Sequence, residues 1–141
     1  ADLTTLWGTR WELDLPLLPA GARYVRRVEN AAADGGAPLI AHAYVRYLGD
    51  LNGGQALRAL VTRGLGSGPS ALAFYEFAAV ADLVAFRRGY RRAVDLAGEE
   101  VGRSARLLTE ARAAFALNIA VSEAVALAAS AGRRSHQKRD A

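Results

Sequence analysis

The segment Leu39-Ile40-Ala41-His42-Ala43-Tyr44-Val45-Arg46-Tyr47-Leu48-Gly49-Asp50-Leu51-Asn52-Gly53-Gly54-Gln55 decides how this chain is read. Its apolar residues recur at helical spacing, yet it carries three glycines close together. A glycine inside a helix costs about 1 kcal/mol relative to alanine, so three of them need a reason. Gly49 and Gly53 stand four apart and share one face, and Gly54 widens the bare strip. Arg46 and Asp50, also four apart, lie beside it, where they can pair. A helix stripped of side chains on one face can lay its backbone against something flat. The charged pair at its edge suggests polar chemistry above that flat ligand.

Outward from this segment, the rest of the chain reads as helices joined by short Gly/Pro punctuation. Alternating strand patterns are rare. A short opening helix near Asp2 is broken at Trp7-Gly8-Thr9-Arg10-Trp11, and Pro19 suits the start of a helix reaching about Ala33, where Gly35-Gly36 stops it. Pro38 opens the glycine-bearing helix, which ends near Gly64. Ser70 is positioned to cap a short turn through Phe74, Tyr75 and Phe77. A further helix is expected from about Ala79 to Leu96, with Gly98 separating it from a last helix from about Glu99 to Ala131. In that last helix Val101, Ala105, Leu108, Phe115, Ile119 and Ser122 follow a three-then-four spacing, and Glu99 and Glu100 would suit its first turn. The fold class is therefore all-α: one helical domain over residues 1–132 and a basic, disordered tail over 133–141.

Composition narrows the function classes. The chain has 141 residues, enough for one domain with a core. Without cysteine it can build no disulfide, zinc–thiolate site or iron–sulfur cluster. No uninterrupted apolar run reaches membrane-spanning length, and no secretory signal is visible at the start, so the expected location is cytoplasmic. The absence of methionine, including at position 1, reads as a processed product or a fragment. The net charge of +4 is modest and partly in the tail, with no basic stripe interleaved with aromatics, so nucleic acid is not an expected partner. Lys138 is the single lysine against many arginines, a skew that reads as codon bias from a GC-rich, bacterial genome.

The glycine-bearing segment resembles the signature of the heme oxygenase family at nearly every position; Asn52 departs, where the family usually has Ser. The likeness extends to Trp7-Gly8 through Trp11, to Pro19 and Arg23-Tyr24-Val25-Arg26-Arg27, to Phe86-Arg87-Arg88-Gly89-Tyr90-Arg91 and to Phe115-Ala116-Leu117-Asn118-Ile119, in the family's order. What it covers is the C-terminal portion of such a protein. The family's proximal iron ligand, a histidine in its first helix, would lie upstream of the match.

The resemblance implies an oxidoreductase in which heme is both substrate and cofactor. Molecular oxygen opens the macrocycle to biliverdin, ferrous iron and carbon monoxide, with electrons from a ferredoxin or a flavin reductase. It implies catalytic roles for Asp50, Arg46 and Asn118. Asp50 would order a water network that delivers a proton during oxygen activation, Arg46 would hold Asp50 charged, and Asn118 would extend the network. Heme contacts would fall to Gly49, Gly53 and Gly54, to Tyr44 and Phe115, and to Arg87 and Arg91, two guanidiniums suited to two propionates. Arg88 and Arg92 would face solvent. Phe86 reads as core. No residue of this chain is expected to bind the iron. His42 lies eight residues before Asp50, about 12 Å along the helix that would cover the opposite face, and is badly placed to do so. The alternative is a catalytically inactive fragment or heme-binding scaffold. Uncovered helix faces would then leave the chain poorly stable or self-associated and with little turnover.

Overall fold

The computed structural model describes residues 2–65, 71–102 and 104–137, and no strand occurs among them. Helices α1 (Asp2–Trp7) and α2 (Trp11–Asp14) are short. Asp2 makes its side-chain bonds away from its own helix. Its carboxylate accepts from the amides of Ala73 (3.0 Å) and Phe74 (2.7 Å), and so caps the 3-10 turn Ala73–Tyr75 across the molecule. Pro19 opens α3 (Pro19–Ala33), where its missing N–H is no loss. The helix ends at Asp34, before the two glycines.

The glycine-bearing stretch is one continuous rod with a widened turn inside it. After α4 (Leu39–Ala43) the chain winds as a π-helix over Tyr44–Leu48 and then continues as α5 (Gly49–Leu65). Apolar spacing alone counts straight through such a turn, so the sequence reading of a regular helix missed it. The Ser70 cap expected from the sequence lies outside the described residues.

Two boundaries differ from the sequence reading. Helix α6 is Leu83–Val101, because the Asp82 carboxylate accepts from the Val84 and Ala85 amides, both at 2.9 Å, and fixes its start. It runs through Gly98 and stops at Gly102, whose φ of 60° is left-handed and favours glycine. Glu99 and Glu100 thus close α6 and do not open α7 (Ser104–Gln137). Helix α7 also enters the expected tail as far as Gln137; residues 138–141 lie outside the described residues.

Small and branched residues form the core: Ala41, Val45, Leu48 and Leu51 of the glycine-bearing rod are buried, as are Ala114 of α7 and Ala20 and Ala31 of α3, and α3, α4 and α7 pack on one another. Alanines let the axes approach closely. The three-then-four stripe of α7 is not the buried one. Leu108, Phe115 and Ile119 are each more than half exposed, while Glu110, Ala114 and Asn118 face α3 and α4. By length and composition Ala105–Ala131 is apolar enough to cross a membrane, at mean hydropathy 1.6, against the expectation from the sequence. The bonds of Glu110 and Asn118 to α3 and α4 tie it instead to the helical body.

The boundary shift can be tested. Gly98→Ala, inside a helix and with only an ordinary contact to Leu107, is expected to stabilise the chain by up to about 1 kcal/mol. Gly102→Ala, in open space but at positive φ, is expected to destabilise it by about 1–2 kcal/mol. Urea unfolding of both variants measures the difference.

Candidate functional site

The widened turn places Arg46 on the side of the rod that faces α7. Its Nη1 donates to Asn118 Oδ1 at 2.7 Å, and its Nη2 lies 3.7 Å from Asp50 Oδ2. Asn118 Nδ2 donates to the Tyr24 hydroxyl (3.0 Å) and to the Ala114 carbonyl (2.8 Å). Arg46 and Asp50, four apart on one helix, and the distant Asn118 thus form one polar chain that continues to Tyr24 of α3. Tyr90 of α6 supports the turn from the other side, its hydroxyl donating to the Ala43 carbonyl at 3.3 Å. Burial and the neighbouring Tyr47 push the Tyr90 phenol above its ordinary pKa, so it stays a donor.

The glycines separate into two kinds. A Cβ added at Gly49 or Gly53 would meet nothing within 4 Å. One added at Gly54 would come within 3.3 Å of the Tyr75 ring and 3.8 Å of Phe77. Gly54 therefore serves the packing of α5 on the 73–77 segment, and the open strip reduces to Gly49 and Gly53. A groove of about 630 Å³ adjoins the polar chain, lined by Leu17, Tyr24, Val28, His42, Arg46 and Asn118, among others.

Other expected contacts stand apart from this chain. Tyr44 is exposed and lines a groove of about 550 Å³ with Asp95, Glu99 and Leu108. Phe115 is 52% exposed on α7. Arg87 is half-buried, its Nε donating to its own Leu83 carbonyl at 3.3 Å, and Arg91 is exposed. No hydrogen bond or ion pair among the described residues joins these four to Asp50. Phe86 packs with Tyr47 and Tyr90 in an aromatic cluster but is 38% exposed, so it is not the core residue the sequence suggested.

Sequence reasoning missed Glu110. It is 7% exposed, and its carboxylate accepts from Arg27 through Nε (2.8 Å) and Nη2 (2.5 Å) and meets His42 Nε2 at 2.9 Å. The Arg27 guanidinium holds Glu110 below the ordinary value of 4.5; burial opposes this and the His42 bond adds to it. The available signal was positional: Glu110 stands four and eight residues before Ala114 and Asn118, on one helical face.

The described residues thus form an all-α body with a bare backbone face at Gly49 and Gly53 beside a polar chain. A family model described as heme oxygenase matches residues 1–124, and the chain belongs to the heme oxygenase family. It is 41% identical over 120 residues to heme oxygenase 1 of Nostoc sp., covering 84% of this chain and 50% of that one. To human heme oxygenase 1 it is 37% identical over 124 residues, covering 86% and 43%. It is also similar to the crystal structure of Synechocystis heme oxygenase-1 in complex with heme, with a TM-score of 0.81 and 34% identity over 97% of this chain and 63% of that one. The chain thus spans about half the length of the curated relatives it matches.

Glu110 gives the folded chain a pH dependence of definite sign. Its folded pKa lies below 4.5, so its contribution is fully present above that value and is lost as pH falls through the lower folded value. The stability difference between wild type and Glu110→Gln is expected to be constant near neutrality and to shrink as pH drops below 4.5, followed by thermal unfolding at each pH.

Proposed function

We propose that this chain supplies the oxygen-activating side of a heme oxygenase, and that heme is its planar ligand and substrate. The observation that carries the reading is the Arg46–Asp50–Asn118 constellation beside the open backbone at Gly49 and Gly53. The fit is physical. Two glycines with empty space at Cβ let the rod lie within van der Waals reach of a plate, and Phe115 leaves an exposed ring for its edge. Arg87 and Arg91, with the Tyr44 phenol, are the donors for the two propionates. The bound heme supplies the iron that reduces oxygen and the ring that is opened, giving biliverdin, ferrous iron and carbon monoxide. The electrons come from a ferredoxin or a flavin reductase.

The work of the chain's own residues is to hold a proton supply in place. Asp50, partly exposed and charge-paired with Arg46, orders water beside the strip and passes a proton along it. Arg46 is fixed in turn by Oδ1 of the Asn118 side chain, so the carboxylate has a steady orientation. His42, the histidine whose side chain is described, is 6% exposed and bonded to Glu110, which removes it from the candidates for iron. A second reading, a heme-binding scaffold without turnover, is favoured by the buried, bonded state of His42 and by the exposed apolar faces of α5 and α7. Those faces, including Leu57, Leu60, Leu108 and Ile119, favour self-association of the isolated chain.

The test is a chimaera in which this chain replaces the portion of Nostoc heme oxygenase 1 that it matches. Under a reductant, the heme-loaded chimaera is expected to form biliverdin, and Asp50→Ala to slow it by about 10²-fold or more. The chain alone is expected to take up heme weakly and produce little bilin. A chimaera that folds, binds heme and forms no biliverdin would leave the scaffold reading standing.

A further inference from the structure

We infer that His42 is a positioning residue for the Arg46–Asp50–Asn118 constellation, acting through its bond to Glu110 and its contact with Tyr24. The catalytic consequence rests on the function proposed above; the geometry that His42 controls does not.

The argument begins with the tautomer. Glu110 is ionised between Arg27 and His42, and an ionised carboxylate only accepts hydrogen bonds. His42 Nε2 is therefore the donor. The other ring nitrogen, Nδ1, is buried and has no hydrogen-bond partner among the described residues. One bond to Glu110 is thus the whole polar hold on a ring that is 6% exposed. Without it the ring keeps only packing, and packing alone leaves an imidazole free to turn about its Cβ–Cγ bond.

Two routes lead from that ring to the constellation. The first runs along the rod. His42 lies two residues before the π turn Tyr44–Leu48, and its bond to α7 fixes the entrance of that turn. At the end of the turn and just past it, the rod is held by Leu48 and Leu51, which are 4% and 1% exposed. A π turn carries one residue more than the α turn it replaces. Were the entrance released, the rod could rewind as regular helix, and each residue of slippage turns the side chains by about 100°. Arg46 would then leave Asn118, and its pairing with Asp50 would change.

The second route runs across. The His42 ring lies 5.6 Å from the Tyr24 ring, centroid to centroid, and the Tyr24 hydroxyl accepts from Asn118 Nδ2 at 3.0 Å. Asn118 in turn accepts from Arg46. Tyr24 is therefore held at its ring by His42 and at its hydroxyl by Asn118. Both routes end on Asn118, which makes its side-chain amide the natural reporter.

The experiment uses the full ligand-free chain, labelled with nitrogen-15, and reads the Asn118 side-chain amide by NMR with helix content checked by circular dichroism. His42→Leu keeps an apolar group of similar size and removes the donor; its folded form is expected to shift both Asn118 amide protons. His42→Gln returns an N–H donor at the reach of Nε2 and is expected to restore the wild-type signals, which a role in packing alone would not produce. In the heme-loaded chimaera, His42→Leu is expected to lower biliverdin formation by up to about 10²-fold with heme affinity kept, and His42→Gln to recover it. If His42→Leu does not fold, the double variant His42→Leu/Glu110→Leu removes the buried charge along with its donor and carries the same Asn118 readout.

A folded variant without the bond whose Asn118 signals stay at the wild-type positions overturns the proposal. So does failure of both variants to fold, because the pair would then be a requirement of the core. A wild-type chimaera that makes no biliverdin would defeat the proposed function, while the Asn118 signals in the ligand-free chain still decide this inference.

Discussion

Glu110 takes a charge into the interior of a helix cluster, and much of the arrangement around it follows from compensating that charge. A buried carboxylate without partners would be protonated or would unfold its surroundings. Here Arg27 of α3 meets it with a two-pronged guanidinium and His42 of α4 adds a donor, so one residue of α7 locks three helices at a fixed rotation. Replacing such a group by apolar side chains often costs a protein little. What it supplies is directional, because hydrogen bonds specify a rotation about each helix axis that contacts between alanines do not. With so many alanines at the α3–α4–α7 contact, that specification has to come from a polar group.

The π turn is the second consequence of the same geometry. The rod from Leu39 to Leu65 must satisfy Glu110 at His42 and bury Leu48 and Leu51 while presenting Arg46 to Asn118. One extra residue in Tyr44–Leu48 adjusts the phase between the first requirement and the others, and the Tyr90 hydroxyl supports the carbonyl at the entrance of the turn. The glycines divide along the same line. Past the turn, Gly49 and Gly53 fall on the open side, while Gly54 falls under Tyr75.

Much of this was legible in the sequence because it is local. The pairing of Arg46 with Asp50, the all-α class, the start of α3 at Pro19 and the bare face at Gly49 and Gly53 follow from spacing along one helix, and Asn118 followed from family likeness. What escaped depends on neighbours. Gly98 and Gly102 are the same residue type four apart, and only the positive φ of Gly102 separates the one that ends the helix from the one inside it. Gly54 is indistinguishable from Gly53 until Tyr75 is placed against it. Nothing local marks Glu110, since its partners lie 83 and 68 residues away. The outward direction of Leu108, Phe115 and Ile119 inverted the expected face of α7, because an apolar stripe states that a face prefers cover and not which face α3 and α4 occupy.

Polar and apolar groups are left in opposite conditions by this fold. The charged and hydrogen-bonding residues near the strip find partners within the chain: Arg46 in Asp50 and Asn118, Tyr24 in Asn118, Glu110 in Arg27 and His42. The large apolar side chains of α7 and the end of α5 do not, and Phe115, Ile119 and Leu60 each stay more than half exposed. Hydrogen bonds are lost to angstrom-scale errors, whereas apolar contact tolerates them. A site that needs a proton supply held in place therefore gains by settling its directional contacts within one set of helices. Under the proposed function, the non-directional burial of a flat apolar ligand then falls to the faces that remain open, such as the exposed ring of Phe115 on the helix that carries Asn118.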